Sequence, residues 1–149
     1  TGTVIAEIYD ATPSNNFAAT TPRLVNVSVL KHLGTGITVG FVIGGSGSTT
    51  VLVRAIGPTL GTAPFGLSGV VVDPQMTLFS AQTVVAANDN WGGTVALTAA
   101  FSATGAFALS AASRDAAVIA TLQPGNYTVQ VSGVSGTTGV ALVEVYEVP

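Results

Sequence analysis

The sequence predicts an all-β fold, and three observations carry the prediction. Apolar residues recur with a period of two, and many of them are β-branched, as a half-buried pleated strand requires. Clusters of Gly, Pro, Asn and Asp interrupt the chain at short intervals and supply the backbone angles that tight turns need. Hydrophobic residues make up 48% of the chain but aromatics only 7%, so the bulk is Val, Ala, Leu and Ile interleaved with Thr and Gly. At 149 residues the chain is long enough for one domain with a real core.

The strand candidates, in order, are residues 4–9, 24–33, 37–43, 50–56, 70–72 with 75–79, 84–87, 116–122, 127–134 and 140–148. Turn signals separate them: Gly44-Gly45-Ser46-Gly47, Gly57-Pro58, Asp73-Pro74, Asn90-Trp91-Gly92-Gly93, Pro124-Gly125-Asn126 and Gly136-Thr137-Thr138-Gly139. About nine strands with closely spaced turns point to two antiparallel sheets packed face to face, a sandwich of the jelly-roll or immunoglobulin-like kind. Residues 94–109 depart from the pattern. They are rich in Ala and lack a period of two, and Gly105 weakens a long helix, so a loop with one or two helical turns is expected. Residues 11–22, with Pro13, Ser14, Asn15, Asn16 and Pro22, read as a linker. The expected organisation is a detached N-terminal strand at 1–10, the linker at 11–22 and a β-sandwich domain at 23–149.

The detached strand is expected because it duplicates the end of the chain. Thr1-Gly2-Thr3-Val4-Ile5-Ala6-Glu7-Ile8-Tyr9-Asp10 aligns with Thr138-Gly139-Val140-Ala141-Leu142-Val143-Glu144-Val145-Tyr146-Glu147, with Thr, Gly, Glu and Tyr in register. Both segments place the same residue types on the same two faces. Val4, Ala6 and Ile8 match Ala141, Val143 and Val145, while Ile5, Glu7 and Tyr9 match Leu142, Glu144 and Tyr146. A single sandwich uses its last strand once. A surplus copy therefore suggests a strand added to a neighbour's sheet, as in donor-strand assembly of pili. The expected landing place is the neighbour's free edge beside the terminal strand, which propagates head to tail into a helical homopolymer. Folding back onto the same molecule is the competing outcome. The candidate interface residues are Val4, Ile5, Ala6, Ile8, Tyr9, Val143 and Val145. One link of a tandem array would show the same duplication.

Composition narrows the function classes. Only 7% of residues are charged, against about 25% in ordinary soluble domains, so little repulsion keeps copies apart and lateral contact is favoured. Four basic residues, Arg23, Lys31, Arg54 and Arg114, against a net charge of −3, exclude a phosphate-binding patch and so nucleic acid. No apolar run approaches a membrane span. The absence of an initial Met fits a processed product or an excised piece, and with the scarcity of Lys and Arg it suits an extracellular or cell-surface location.

Candidate sites are few. Asp73, Asn88, Asp89 and Asn90 are the best oxygen set for calcium, without the spacing of an EF-hand. Otherwise no cofactor is expected. Arg54 lies mid-strand and needs a partner, with Asp73, Asp89 and Asp115 as candidates. Arg114-Asp115 reads as a solvated turn, and Gly44-Gly45-Ser46-Gly47-Ser48 as a hairpin turn, since no Lys and helix follow it. His32 is the sole histidine, no Cys exists, and no Ser sits in a nucleophile elbow, so catalysis is not expected. Trp91, if exposed, could stack on sugar rings. Asn26-Val27-Ser28 and Asn126-Tyr127-Thr128 fit the glycan acceptor pattern, so attached glycans are a further option.

Several core motifs carry a resemblance. Arg23-Leu24-Val25-Asn26-Val27-Ser28, Gly40-Phe41-Val42-Ile43-Gly44-Gly45, Val51-Leu52-Val53-Arg54-Ala55-Ile56-Gly57-Pro58, Asn88-Asp89-Asn90-Trp91-Gly92 and Leu122-Gln123-Pro124-Gly125-Asn126-Tyr127-Thr128-Val129 resemble a repeat domain of large secreted and surface proteins of environmental bacteria. That resemblance implies tandem repetition and a secreted setting. The second half, through Asp73-Pro74-Gln75-Met76-Thr77-Leu78-Phe79, Val85-Ala86-Ala87-Asn88-Asp89-Asn90 and the Pro-Gly-Asn-Tyr-Thr-Val segment, is similar to bacterial pre-peptidase C-terminal domains. Those are β-sandwich accessory modules of secreted hydrolases, some of which bind calcium. The expected function is thus a structural subunit of an extracellular filament, with a calcium- or carbohydrate-binding accessory module as the alternative and no enzymatic activity.

Overall fold

The computed structural model describes residues 4–16, 18 and 20–149. The first three residues of the duplicated segment lie outside them. The elements are β1 (Asn26–Leu33), β2 (Ile37–Ile43), β3 (Thr49–Ile56), β4 (Pro74–Ser80), β5 (Thr83–Asn88), α1 (Val95–Thr104), β6 (Ala116–Leu122), β7 (Gly125–Gly133) and β8 (Gly139–Glu147). They form two four-stranded sheets, ordered β1-β8-β3-β6 and β2-β7-β4-β5, with every pairing antiparallel. The sandwich expected from alternation is therefore present.

Alternation sets what the sandwich buries. Val51, Val53 and Ala55 of β3, Ala141, Val143 and Val145 of β8, Met76 and Leu78 of β4, and Tyr127, Val129 and Val131 of β7 meet between the sheets. The opposite face of the first sheet is also apolar. Leu52 and Ile56 pack there with Leu60, Trp91, Leu97, Ala100, Phe101, Leu109 and Ala117, a second core roofed by α1 and the loops around it. That is why β3 is buried along most of its length.

Four segments depart from the simple strand-and-turn reading. Residues 4–9, expected as a detached strand, pair with no strand of their own chain and are exposed. Residues 70–72 contribute only a single parallel bridge, Val70 to Val140. The Ala-rich segment forms a ten-residue helix rather than a loop with a turn or two. Thr94 caps its start by accepting from the Leu97 amide, and Gly105 ends it in the left-handed conformation at φ 71°. Leu97, Ala100 and Phe101, three and four residues apart, supply the face that the second core buries. The Gly44–Ser48 run is not a hairpin within one sheet. It carries the chain from β2 in one sheet to β3 in the other.

The two flanks of the sandwich are unequal. On one, β5 and β6 come together, and the Asn88 Oδ1 accepts from the Ala117 amide at 3.0 Å. On the other, β1 and β2 are edge strands without such a tie between them.

Candidate functional site

The duplicated segment stands clear of the sandwich. Val4, Ile5, Ile8 and Tyr9 are 84%, 80%, 71% and 77% exposed. Among the described residues its hydrogen bonds are local: the Tyr9 hydroxyl donates to Glu7 Oε1 at 2.9 Å, and the Thr12 amide to Asp10 Oδ1 at 2.8 Å. Four large apolar side chains within seven consecutive residues are thus exposed to water together.

The segment's copy, β8, is an internal strand of its sheet. It lies between β1 and β3, with Val143 opposite Val29 and Ala55, and Val145 opposite Val27 and Val53. Val143 and Val145 are buried in the sandwich core. In the folded subunit they are occupied by their own molecule and present no surface to another. The outward face of β8 shows what the Glu-x-Tyr pattern does. Glu144 Oε2 accepts from Arg54 Nε and Nη2 at 2.9 and 2.5 Å, and the Tyr146 hydroxyl donates to Glu144 Oε1 at 2.7 Å. The same tyrosine-to-glutamate bond, at the same two-residue spacing, is made in the exposed segment by Tyr9 and Glu7.

Arg54 is fully buried, and its partner is Glu144 rather than Asp73, Asp89 or Asp115. The remaining guanidinium nitrogen Nη1 donates to the Phe107 carbonyl at 2.6 Å. The rings of Phe107, Phe101 and Tyr146 surround the cation at 4.3, 4.9 and 5.8 Å from its carbon. Burial pushes the Tyr146 hydroxyl up to about 12, helped by its bond to the Glu144 carboxylate and by that negative charge, with Arg54 opposing. Sequence reasoning missed Glu144 because it assigned that residue only to the duplication. The available signal was register: Arg54 and Glu144 share a face of neighbouring strands.

Asp115 is buried, not part of a solvated turn, whereas Arg114 beside it is exposed. Its Oδ1 accepts from the Gly57 amide at 2.8 Å and its Oδ2 from the Thr59 hydroxyl. Its carbonyl accepts from the Trp91 amide at 2.9 Å. Asp115 thus ties together the Gly57-Pro58 turn and the Asn88–Trp91 turn. Trp91 is buried, with its indole Nε1 donating to the Ser110 carbonyl at 2.9 Å, so it offers no stacking platform for a sugar. The motifs that carried the resemblance converge here on a structural lock.

The calcium candidates lie at one end of β4 and β5, but their groups are largely engaged. Arg114 Nη1 donates to Asp73 Oδ2 at 3.1 Å, while Asp73 Oδ1 is buried without a partner in the chain. Asn88 spends both ends of its amide, accepting from Ala117 and donating to the Asn90 carbonyl at 3.0 Å. Asp89 and Asn90 are exposed. Among the described residues no three His, Cys, Asp or Glu side chains gather as a cation site. His32 is exposed on β1, and Asn26 and Asn126 are exposed within their strands. No helix among the described residues is long and apolar enough to cross a membrane.

No known protein family matches the sequence, and no curated protein does. Among solved structures the fold is similar to the pre-peptidase C-terminal domain of a collagenase from Bacillus anthracis. The TM-score is 0.49 at 11% identity, over 81% of this chain and 89% of that one.

Proposed function

We propose that this protein is a structural subunit of an extracellular filament, polymerising head to tail by adding residues 4–9 to the sheet of a neighbouring copy. One observation supports the reading above the others. A segment with the face pattern of β8 stands exposed to water, while β8 itself already fills its place between β1 and β3. Burying each of its large apolar side chains contributes about 1.5–3 kcal/mol, and ladder hydrogen bonds to an unpaired edge add to that. The low charge content supports close lateral packing of copies, and the second sheet carries no charged residue on any of its four strands. A secreted or surface location belongs to the same proposal.

Ile8→Asp tests it. A carboxylate at the centre of the joint is expected to reduce large particles to monomers by light scattering and negative-stain microscopy. The unfolding midpoint of the sandwich should stay unchanged, since Ile8 touches no part of its core. Unaltered particle size in the variant would refute strand donation.

A further inference from the structure

We propose that the acceptor for residues 4–9 is the free edge of β1 in a second copy of this chain, paired antiparallel and in the register that β8 holds on the other flank of β1. The inference deepens the strand-donation reading and depends on it. It begins from β1, an edge strand of which only Leu33 is buried. Alternate residues of such a strand direct their N–H and C=O groups away from β8 and leave them unpaired. The opposite flank of the sandwich is less available, because β5 and β6 approach each other and Asn88 ties them.

Side-chain complementarity then selects the strand. A strand in a sheet shows the same two rows of side chains to its left and right neighbours. β8 already fits β1, with Val145 beside Val27, Glu144 beside Ser28, Val143 beside Val29 and Leu142 beside Leu30. The duplicated segment carries matching residues and so inherits the fit. On the free flank Ile8 falls beside Val27, Glu7 beside Ser28, Ala6 beside Val29 and Ile5 beside Leu30. Val27 and Val29 are only half-buried at present, and Leu30 is 57% exposed. Glu7 and Glu144 would flank β1 about 10 Å apart, two strand spacings. That is about a Debye length, and Glu144 is already neutralised by Arg54.

The slot of β8 is a poorer acceptor. Displacing β8 breaks the buried Arg54–Glu144 pair and releases a strand with nowhere to go, whereas edge addition leaves each strand paired. The occupant is a second copy because the segment stands off its own β1, beyond a linker stiffened by Pro13, Pro22 and a 3₁₀ turn at Ser14–Asn16.

The chain contains no Cys, so single cysteines map the joint. Full-length Ile8→Cys, carrying an affinity tag, is mixed with untagged Val27→Cys or Val53→Cys, oxidised and read by mass. A shift from monomer to mixed dimer is expected with Val27→Cys and none with Val53→Cys, because Val53 lies on β3 beyond β8. A mixed dimer with Val53→Cys would mean that the segment had taken the β8 slot, and would overturn the proposal. So would a disulfide-closed monomer of the double variant Ile8→Cys/Val27→Cys, which would place the segment on its own edge. No mixed dimer with either partner, while Ile8→Asp still abolishes large particles, overturns the β1 acceptor and leaves strand donation standing. No mixed dimer together with unchanged particle size overturns both.

Discussion

Removing the cation of the buried pair should unfold much of what holds the outer core in place. In Arg54→Met the side chain keeps its apolar contacts with Phe101 and Phe107 but leaves Glu144, itself nearly fully buried, without a positive partner. Two bonds to Glu144 and one to the Phe107 carbonyl are lost together. Breaking one side of a buried pair costs about 3–5 kcal/mol, a large share of the 5–15 kcal/mol by which a domain is typically stable. With a urea slope of about 2 kcal/mol/M, the midpoint should fall by about 2 M. The sole tryptophan reports the change directly, since Trp91 packs at 5.2 Å from Phe101 in the same cluster. Replacing both partners, Arg54→Met with Glu144→Leu, should recover most of the loss, because two apolar groups of similar volume leave no stranded charge. A single variant that costs less than about 1 kcal/mol would refute the buried-pair reasoning. So would a double variant as unstable as the two singles summed, since groups in contact must couple.

Two further outcomes follow from the geometry. Gly57→Ala should destabilise the domain by about 3 kcal/mol, measured by urea unfolding, because the added methyl would lie 2.1 Å from the Val71 carbonyl oxygen, where only backbone movement could make room. At alkaline pH the Tyr146 hydroxyl should hold its proton in the folded state, to about pH 12, after the unfolded chain has begun to lose it near 10. Its contribution is then complete below pH 10 and declines as pH rises from 10 towards 12. Tyr146→Phe should flatten that decline in a series of unfolding midpoints against pH.

The strands were legible where their physics is local. Ile37–Ile43 and Ala116–Leu122 have the bounds that alternation suggested, and most other strands shift by one or two residues. The faces of β8 were also legible, since a period of two assigns Ala141, Val143 and Val145 to one side without any structure. The helix is longer than the sequence predicts because its local signals conflict. Ala-rich composition favoured it, Gly105 argued against length, and only the apolar surface waiting beneath Leu97 and Phe101 decided the matter. Arg54, Asp115 and Trp91 were conspicuous in the sequence, but their roles were not. A buried charge announces a need for a partner, and which carboxylate meets it depends on residues dozens of positions away.

Alternation, turn chemistry and the repetition of one strand at both ends can be read directly from the residues. That Glu144 answers Arg54, that Asp115 locks two distant turns, and that β8 is internal while β1 is left at an open edge are settled by packing between distant segments. Strand order follows from how two twisted sheets close over one core and cover one outer face. Those contacts are long-range, and no window of sequence contains both halves of any of them.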